Sequence, residues 1–289
     1  MNNNKLLIGA HLSIAGGIEN SIIKAIEMDC PVLQIFTKNA RQWSSPPLKE
    51  ENIKKFLKLK KESGVMVASH DSYLINLAAK NKEKRIKSIS AFTDELYRAK
   101  ILDIPYLILH PGTANETTEI EAINLIAKAI DKTIEKSNNF NTTILLETTA
   151  GHKNSIGHKF NHLRDIIDKS KNKDRIGICF DTCHIYAAGY NIKIKDGYDK
   201  TMNEFDKIIG LRLLKFFHIN DSKGDLGAHL DRHEHIGKGK LGLDVFKFII
   251  NDTRFKKVGK CLETPKGKND EYDIINLNIL RNLKEDHIQ

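Results

Sequence analysis

Histidines and carboxylates stand at the ends of successive short apolar runs: His70, His110, Glu147, Asp181 followed by His184, His218 and Glu263. A lone histidine after such a run is usually a hydrogen-bonded structural residue. Six runs that all deliver imidazoles or carboxylates are a different matter, because apolar packing gives no reason for it. Metal binding is the economical explanation. Neutral imidazole and carboxylate suit zinc, manganese or iron, and the absence of any C-x-x-C pair argues against a closed thiolate site. The candidates are too many for one tetrahedral ion, so a cluster of two or three divalent ions is expected. Such clusters split phosphodiesters by activating a water and stabilising the departing oxygen.

Loops next to these runs add further chemistry. Between Asn220 and Asp244 lies Asp231-Arg232-His233-Glu234-His235, in which Asp231 and His233 can turn to one side of an extended segment as two more ligands. A charge run of this kind is otherwise a solvated loop. The same loop ends in Gly237-Lys238-Gly239-Lys240-Leu241-Gly242, a formal G-x-G-x-x-G. It follows no strand directly, so a dinucleotide fingerprint is not expected, and its glycines suit close backbone approach to a ligand or phosphate. Phe36–Trp43 and His70–Ala78 place Arg41, Tyr73 and Leu74 in loops at the same face, whereas Trp43 is expected to cap the core. Apolar wedges and an arginine are what an enzyme needs to fill the gap left by a nucleotide turned out of a duplex.

The elements that must hold these residues are legible in the apolar pattern. Runs rich in Ile, Leu and Val cover Leu6–Leu12, Val32–Thr37, Val65–His70, Tyr106–His110, Thr142–Glu147, Ile176–Asp181, Phe216–Asn220 and Lys260–Glu263. They do not alternate with polar residues, as befits strands buried on both faces of a parallel sheet. Amphipathic stretches with helical spacing, such as Ile86–Lys100 and Glu119–Ser137, lie between them. Successive runs end 26 to 43 residues apart, room for one strand, one helix and two loops. Eight such units predict an α/β fold of the (β/α)8 TIM barrel type, in one domain spanning residues 1–289. In that fold the strand ends, and so the candidate ligands, share one mouth.

Composition fits a globular chain, with 40% hydrophobic and 29% charged residues. The 46 Lys+Arg against 37 Asp+Glu give a net charge of +9, which favours polyanionic partners. An A/T-biased genome yields the same lysine, asparagine and isoleucine excess, so charge alone does not choose the partner. Lys54–Lys61 reads as a solvated helix face. No apolar run approaches the roughly 20 residues of a membrane helix, and nothing near Met1 resembles a signal peptide, so a cytoplasmic protein without a membrane partner is expected. Cys30, Cys179, Cys183 and Cys261 read as buried reduced thiols.

Three long segments carry a family resemblance: HDSYLINLA from His70, GICFDTCH from Gly177 and HINDSKGDLGAHLDRHEHIGKG from His218. GAHLSIAGG, FTKNARQW, LHPG, ETTAG and LETP agree too, so the similarity runs from about Ile8 to Pro265. The chain resembles the endonuclease IV family of apurinic/apyrimidinic endonucleases. That resemblance implies three zinc ions, with manganese an alternative at one site. Matching positions would place the first on His70, His110 and Glu147. Glu147 would bridge to a second, completed by Asp181, His218 and Glu263, and His184, Asp231 and His233 would hold the third. Glu147 would be the catalytic carboxylate in the sense of positioning metals. Arg41, Tyr73 and Leu74 match the family's DNA wedges.

The implied reaction is a step of base excision repair. The phosphodiester 5′ to an abasic site in double-stranded DNA is hydrolysed, leaving a 3′-hydroxyl and a 5′-deoxyribose phosphate, and 3′-blocking groups are also removed. A monomer is expected, because the mouth must stay open to a duplex, and a nucleoid association if the source is bacterial. Two departures from the family pattern are Thr148, where asparagine is usual, and Phe180, where a smaller aliphatic is usual. His11 is no ligand in that pattern. The main rival is a metal-dependent sugar isomerase or epimerase, which shares the barrel but needs neither the third ligand group nor the wedges. A nucleic-acid-binding barrel with a structural metal is the other.

Overall fold

The computed structural model describes residues 5–137 and 141–285. Eight parallel strands line the barrel: β1 (Ile8–His11), β2 (Val32–Phe36), β3 (Met66–His70), β4 (Tyr106–Leu109), β5 (Thr143–Glu147), β6 (Ile176–Asp181), β7 (Leu214–His218) and β8 (Gly259–Leu262). They close in the order β1-β8-β7-β6-β5-β4-β3-β2, so every barrel strand has two neighbours and none is an edge. The expected fold is the observed one. Helices return the chain between strands, among them α1 (Glu19–Glu27), α2 (Glu50–Ser63), α3 (Lys82–Ile101), α4 (Glu119–Ser137), α5 (Phe160–Lys169) and α6 (Thr182–Ala187). The Asn81 side chain accepts the Lys84 N–H and so starts α3 four residues before the expected Ile86.

The strands end slightly earlier than the apolar runs. Thr37, His110, Asn220 and Glu263 lie one or two residues beyond their ladders, in the turns that open the mouth. Gly9 marks the closest strand contact, since a Cβ there would sit 1.7 Å from the Val32 carbonyl oxygen. Leu12 still donates its N–H to Gln34 O at 2.9 Å, which prolongs the β1–β2 contact past the last strand residue.

What positions the site is the period of two along each strand. One barrel layer is apolar and dry: Val32, Ala68, Ile108, Leu145, Cys179, Phe216 and Cys261 pack together, each at most 1% exposed. Two residues further along the same strands come Gln34, His70, His110, Glu147, Asp181, His218 and Glu263. The same interior phase therefore changes from apolar to polar in a single step, and the polar layer faces the mouth. A second, larger core of Ile, Leu, Val and Phe fills the space between barrel and helices, with Phe180 edge-on to Phe205 and Phe217 at 6.0 and 5.6 Å. All four cysteines are buried and unpaired. Among the described residues no helix is long and apolar enough to cross a membrane.

Candidate metal centre

Glu147, at the end of β5 and fully buried, is the hub of the polar layer. Its Oε2 lies 3.0 Å from His70 Nε2 and 3.2 Å from His110 Nε2, and its Oε1 lies 2.9 Å from His218 Nδ1 and 3.1 Å from His184 Nδ1. Glu263 Oε2 approaches His218 Nδ1 at 3.2 Å. The Asp181 Oδ1 accepts the His184 N–H and caps α6, while Asn220 Nδ2 donates to Oδ2 at 2.7 Å. Three sets of donors each fall within 4.8 Å: His70–His110–Glu147, Glu147–Asp181–His218–Glu263, and His184–Asp231–His233. All nine residues expected as ligands are thus brought together, in the same three groups.

The outer nitrogen of most rings is occupied, which decides what the inner one offers. His70 Nδ1 faces the Asp71 carbonyl at 2.9 Å, His184 Nδ1 that of Thr148 at 2.9 Å, and His233 Nδ1 that of Glu263 at 3.0 Å. A carbonyl only accepts, so Nδ1 carries the hydrogen and the neutral ring keeps its lone pair on Nε2. For His184 and His233 those Nε2 atoms are buried without a hydrogen-bond partner, 3.0 and 3.7 Å from Asp231 Oδ1. Two lone pairs aimed at a carboxylate repel unless a proton or a cation sits among them. This donor set fits a divalent metal. Cys183, beside Asp181 and His233, fits less well, because burial pushes its thiol up to about 12.

Charge tells the same story. Burial opposes ionisation of Glu147, yet His218 and His110 outweigh it and hold the carboxyl well below the usual range. Burial also disfavours charge on His70 and His218, but Glu147 chiefly, with Glu263 assisting, pushes both up to about 9. His184 is raised well above its ordinary value against the effect of burial, by Asp181 and Asp231. The carboxylates at this mouth therefore favour positive charge among the imidazoles, as a cation site does.

The loop after β7 carries Asp231 and His233. Asp221–Ser222 pairs with His233–Glu234 as a short antiparallel ribbon. The buried Asp221 carboxylate accepts the N–H groups of Ser222, Gly239 and Leu241. A Cβ on Gly239 would lie 2.5 Å from Asp221 Oδ1, which explains the glycine. The backbone approach expected there is made to Asp221 rather than to a ligand.

Above the three donor groups opens a cleft of about 940 Å³, lined by His11, His70, Tyr73, Lys223 and His233 among others. Tyr73 is 66% exposed, its ring edge-on to Phe36 at 5.3 Å. Arg41 is exposed and Leu74 half-buried on neighbouring loops, outside the cleft wall. Trp43 packs against the outer core, as expected of a cap, with Lys87 Nζ 4.6 Å above its ring. Lys38 turns inward to Asp94 at 2.8 Å and Glu95 at 3.4 Å, and Arg98 donates to the carbonyls of Ser45 and Pro46. These ties from α3 fix the loop that presents Arg41.

Several supporting residues escaped the sequence reading. Gln34 joins Glu263 to His218, and Asn220 joins the Asp181 carboxylate to the Glu263 N–H, while Thr148, already singled out by sequence, accepts the Asp181 N–H with its hydroxyl. Gln34 shares the interior phase of Val32, the signal that could have found it. His11 Nδ1, on the cleft wall, lies 3.0 Å from Gln34 Nε2 and 3.5 Å from Glu263 Oε1.

Comparison with known proteins agrees with this geometry. The sequence model of the xylose isomerase-like TIM barrel family matches residues 22–283. A probable endonuclease 4 of Citrifermentans bemidjiense is 46% identical over 280 residues, covering 96% of this chain and 99% of the relative. The crystal structure of endonuclease IV from Thermus thermophilus superposes with a TM-score of 0.86 at 31% identity, covering 96% and 98%. A D-tagatose 3-epimerase-like protein reaches a TM-score of 0.70 at 21% identity, covering 96% of each chain, a likeness of fold alone. The chain belongs to the endonuclease IV family of the xylose isomerase-like TIM barrels.

Proposed function

We propose that the protein is a metal-dependent endonuclease of DNA repair. It hydrolyses the phosphodiester 5′ to abasic sites in duplex DNA, leaves a 3′-hydroxyl and a 5′-deoxyribose phosphate, and also removes 3′-blocking groups. The observation that carries this reading is the assembly of three neighbouring donor sets, two of them sharing Glu147, at the open end of the barrel. The names of its relatives point the same way. Zinc suits the imidazole-rich donors, with manganese an alternative at one site. His70, His110 and Glu147 would hold one ion, Glu147, Asp181, His218 and Glu263 a second, and His184, Asp231 and His233 a third. Bound there, the metals supply Lewis acidity to the phosphate and a water that ionises near neutral pH.

The chain itself does the rest. Glu147 spaces the two groups it shares. The dry layer beneath and the Asp221-pinned loop keep the donors in one arrangement, so no reorganisation is needed as charge develops. Arg41, Tyr73 and Leu74 would occupy the gap in the stack when the abasic nucleotide turns into the cleft. The net charge of +9 favours capture of the duplex by a single chain.

The test is a duplex carrying one tetrahydrofuran abasic analogue, incubated with zinc-loaded protein and resolved on a denaturing gel beside Glu147→Gln. Incision immediately 5′ to the analogue, lost in the variant, supports the reading. Intact duplex with zinc demonstrably bound would sink it and direct attention to sugar substrates.

A further inference from the structure

Gln34 is a fully buried amide in the middle of the polar layer. Its Nε2 donates to Glu263 Oε1 at 2.7 Å and lies 3.0 Å from His11 Nδ1, while its Oε1 lies 2.7 Å from His218 Nε2. These contacts admit one assignment. A carboxylate only accepts, so the amide nitrogen must face Glu263, and the amide oxygen must therefore face His218. That oxygen also only accepts, so His218 carries a hydrogen on Nε2. The neutral ring then keeps its lone pair on Nδ1, the atom 2.9 Å from Glu147 Oε1 and 3.2 Å from Glu263 Oε2.

His70, His184 and His233 are oriented by backbone carbonyls, which a side-chain substitution cannot remove. His218 uses a side chain instead, and the same side chain aims Glu263. We infer that Gln34 is a positioning residue: one amide sets the tautomer of His218 and the direction of the Glu263 carboxylate, so that both offer lone pairs to one ion. The inference rests on the metal-dependent reading above. Gln34, fully buried and outside the cleft wall, would act only through His218 and Glu263.

Gln34→Met keeps the volume and removes all three hydrogen bonds, those to His218 and Glu263 among them. Zinc content would be measured by mass spectrometry of the metal after dialysis against a graded chelator series, with incision assayed at limiting and at excess zinc. The variant is expected to hold one zinc equivalent about 10- to 100-fold more weakly, and to lose incision at limiting zinc but regain it in excess. A wild-type zinc profile in the variant would overturn the inference. In parallel, zinc-loaded wild-type protein labelled at histidine nitrogens would be examined by NMR. An Nε2–H on His218 is expected, and an Nδ1–H overturns the inference even if the variant fails to fold. A wild type that binds zinc but never cuts abasic duplex would instead refute the proposed reaction while leaving Gln34's role standing.

Discussion

Two clusters in this molecule are built from the same side chains and wired in opposite ways. One is the mouth of the barrel. The other lies outside it, where Glu119 at the start of α4 meets His158 just before α5 and His162 within it, again with donor atoms within 4.8 Å. There Lys159 Nζ lies 3.0 Å from both Glu119 oxygens and already cancels the charge. The Gly157 N–H points into His162 Nδ1, so the hydrogen of the neutral ring is on Nε2, directed at Glu119 3.1 Å away. No lone pair of His162 remains for an ion. Burial lowers the His162 pKa and Glu119, 46% exposed, does not reverse it, whereas at the mouth fully buried Glu147 lifts His70 to about 9. Residue type and spacing nominate both clusters equally. The partner of each ring's second nitrogen, and the presence of a competing lysine, separate them.

Substitution of the two glutamates gives the sharpest contrast. Glu147→Gln should lower incision of abasic duplex by more than about a hundredfold, beyond the usual loss from a merely supporting residue. Glu119→Gln should change it by less than about twofold, as surface substitutions do. Equal losses would erase the distinction. Next in size is the wedge: Tyr73→Ala should raise KM for abasic duplex by roughly 5- to 100-fold, the worth of one stacked ring, with Tm unchanged. A Tm shift without a KM change would return Tyr73 to the core. Zinc stoichiometry follows, since His233→Ala should lose about one equivalent and His158→Ala none, read by metal analysis after dialysis.

The smallest effect isolates burial from carboxylates. Lys260 lies buried with its ammonium donating to the carbonyls of Phe255 and Val258, and burial drops its pKa to about 8 against the weak opposing pull of Asp252. Below pH 8 folded and unfolded chains are both protonated, and the cost of the buried charge is present in full. Between pH 8 and about 10.5 the unfolded chain binds more protons, so stability rises with pH through that window. Wild-type Tm should therefore gain on the order of a few degrees relative to Lys260→Met as pH is raised from 8 to 10. A constant difference would mean that burial does not act on this lysine as it does on His162.

The barrel was legible because each strand is buried on both faces and reads as an unbroken apolar run. Six ligand positions were legible because they close those runs. His184 was legible because it follows Asp181 by three residues, whereas Asp231 and His233 lie in a loop past the strands and were reached through the loop's position and the family resemblance, since the ribbon that folds the loop back depends on Asp221 and on glycine at 239. Gln34 was overlooked although it stands two residues after Val32 in the interior phase, because an amide in a run of Val, Leu and Ile draws no attention by type. Lys38 lies in the same loop as Arg41 yet turns inward, because its partners Asp94 and Glu95 lie far along the chain on α3. Periodicity shows which way a residue points. Its long-range partner is a product of the fold.

The layer of Val32, Ala68, Ile108, Leu145, Cys179, Phe216 and Cys261 makes the barrel a blind well. A solute that reaches Glu147 has one way in and the same way out. On the proposed function, a duplex seated over the cleft would stopper that route, and an ion underneath would exchange no faster than the nucleic acid departs. On the proposed reading, resistance to chelators would then be a property of the occupied enzyme, whose metals would be most secure while it sits on damaged DNA.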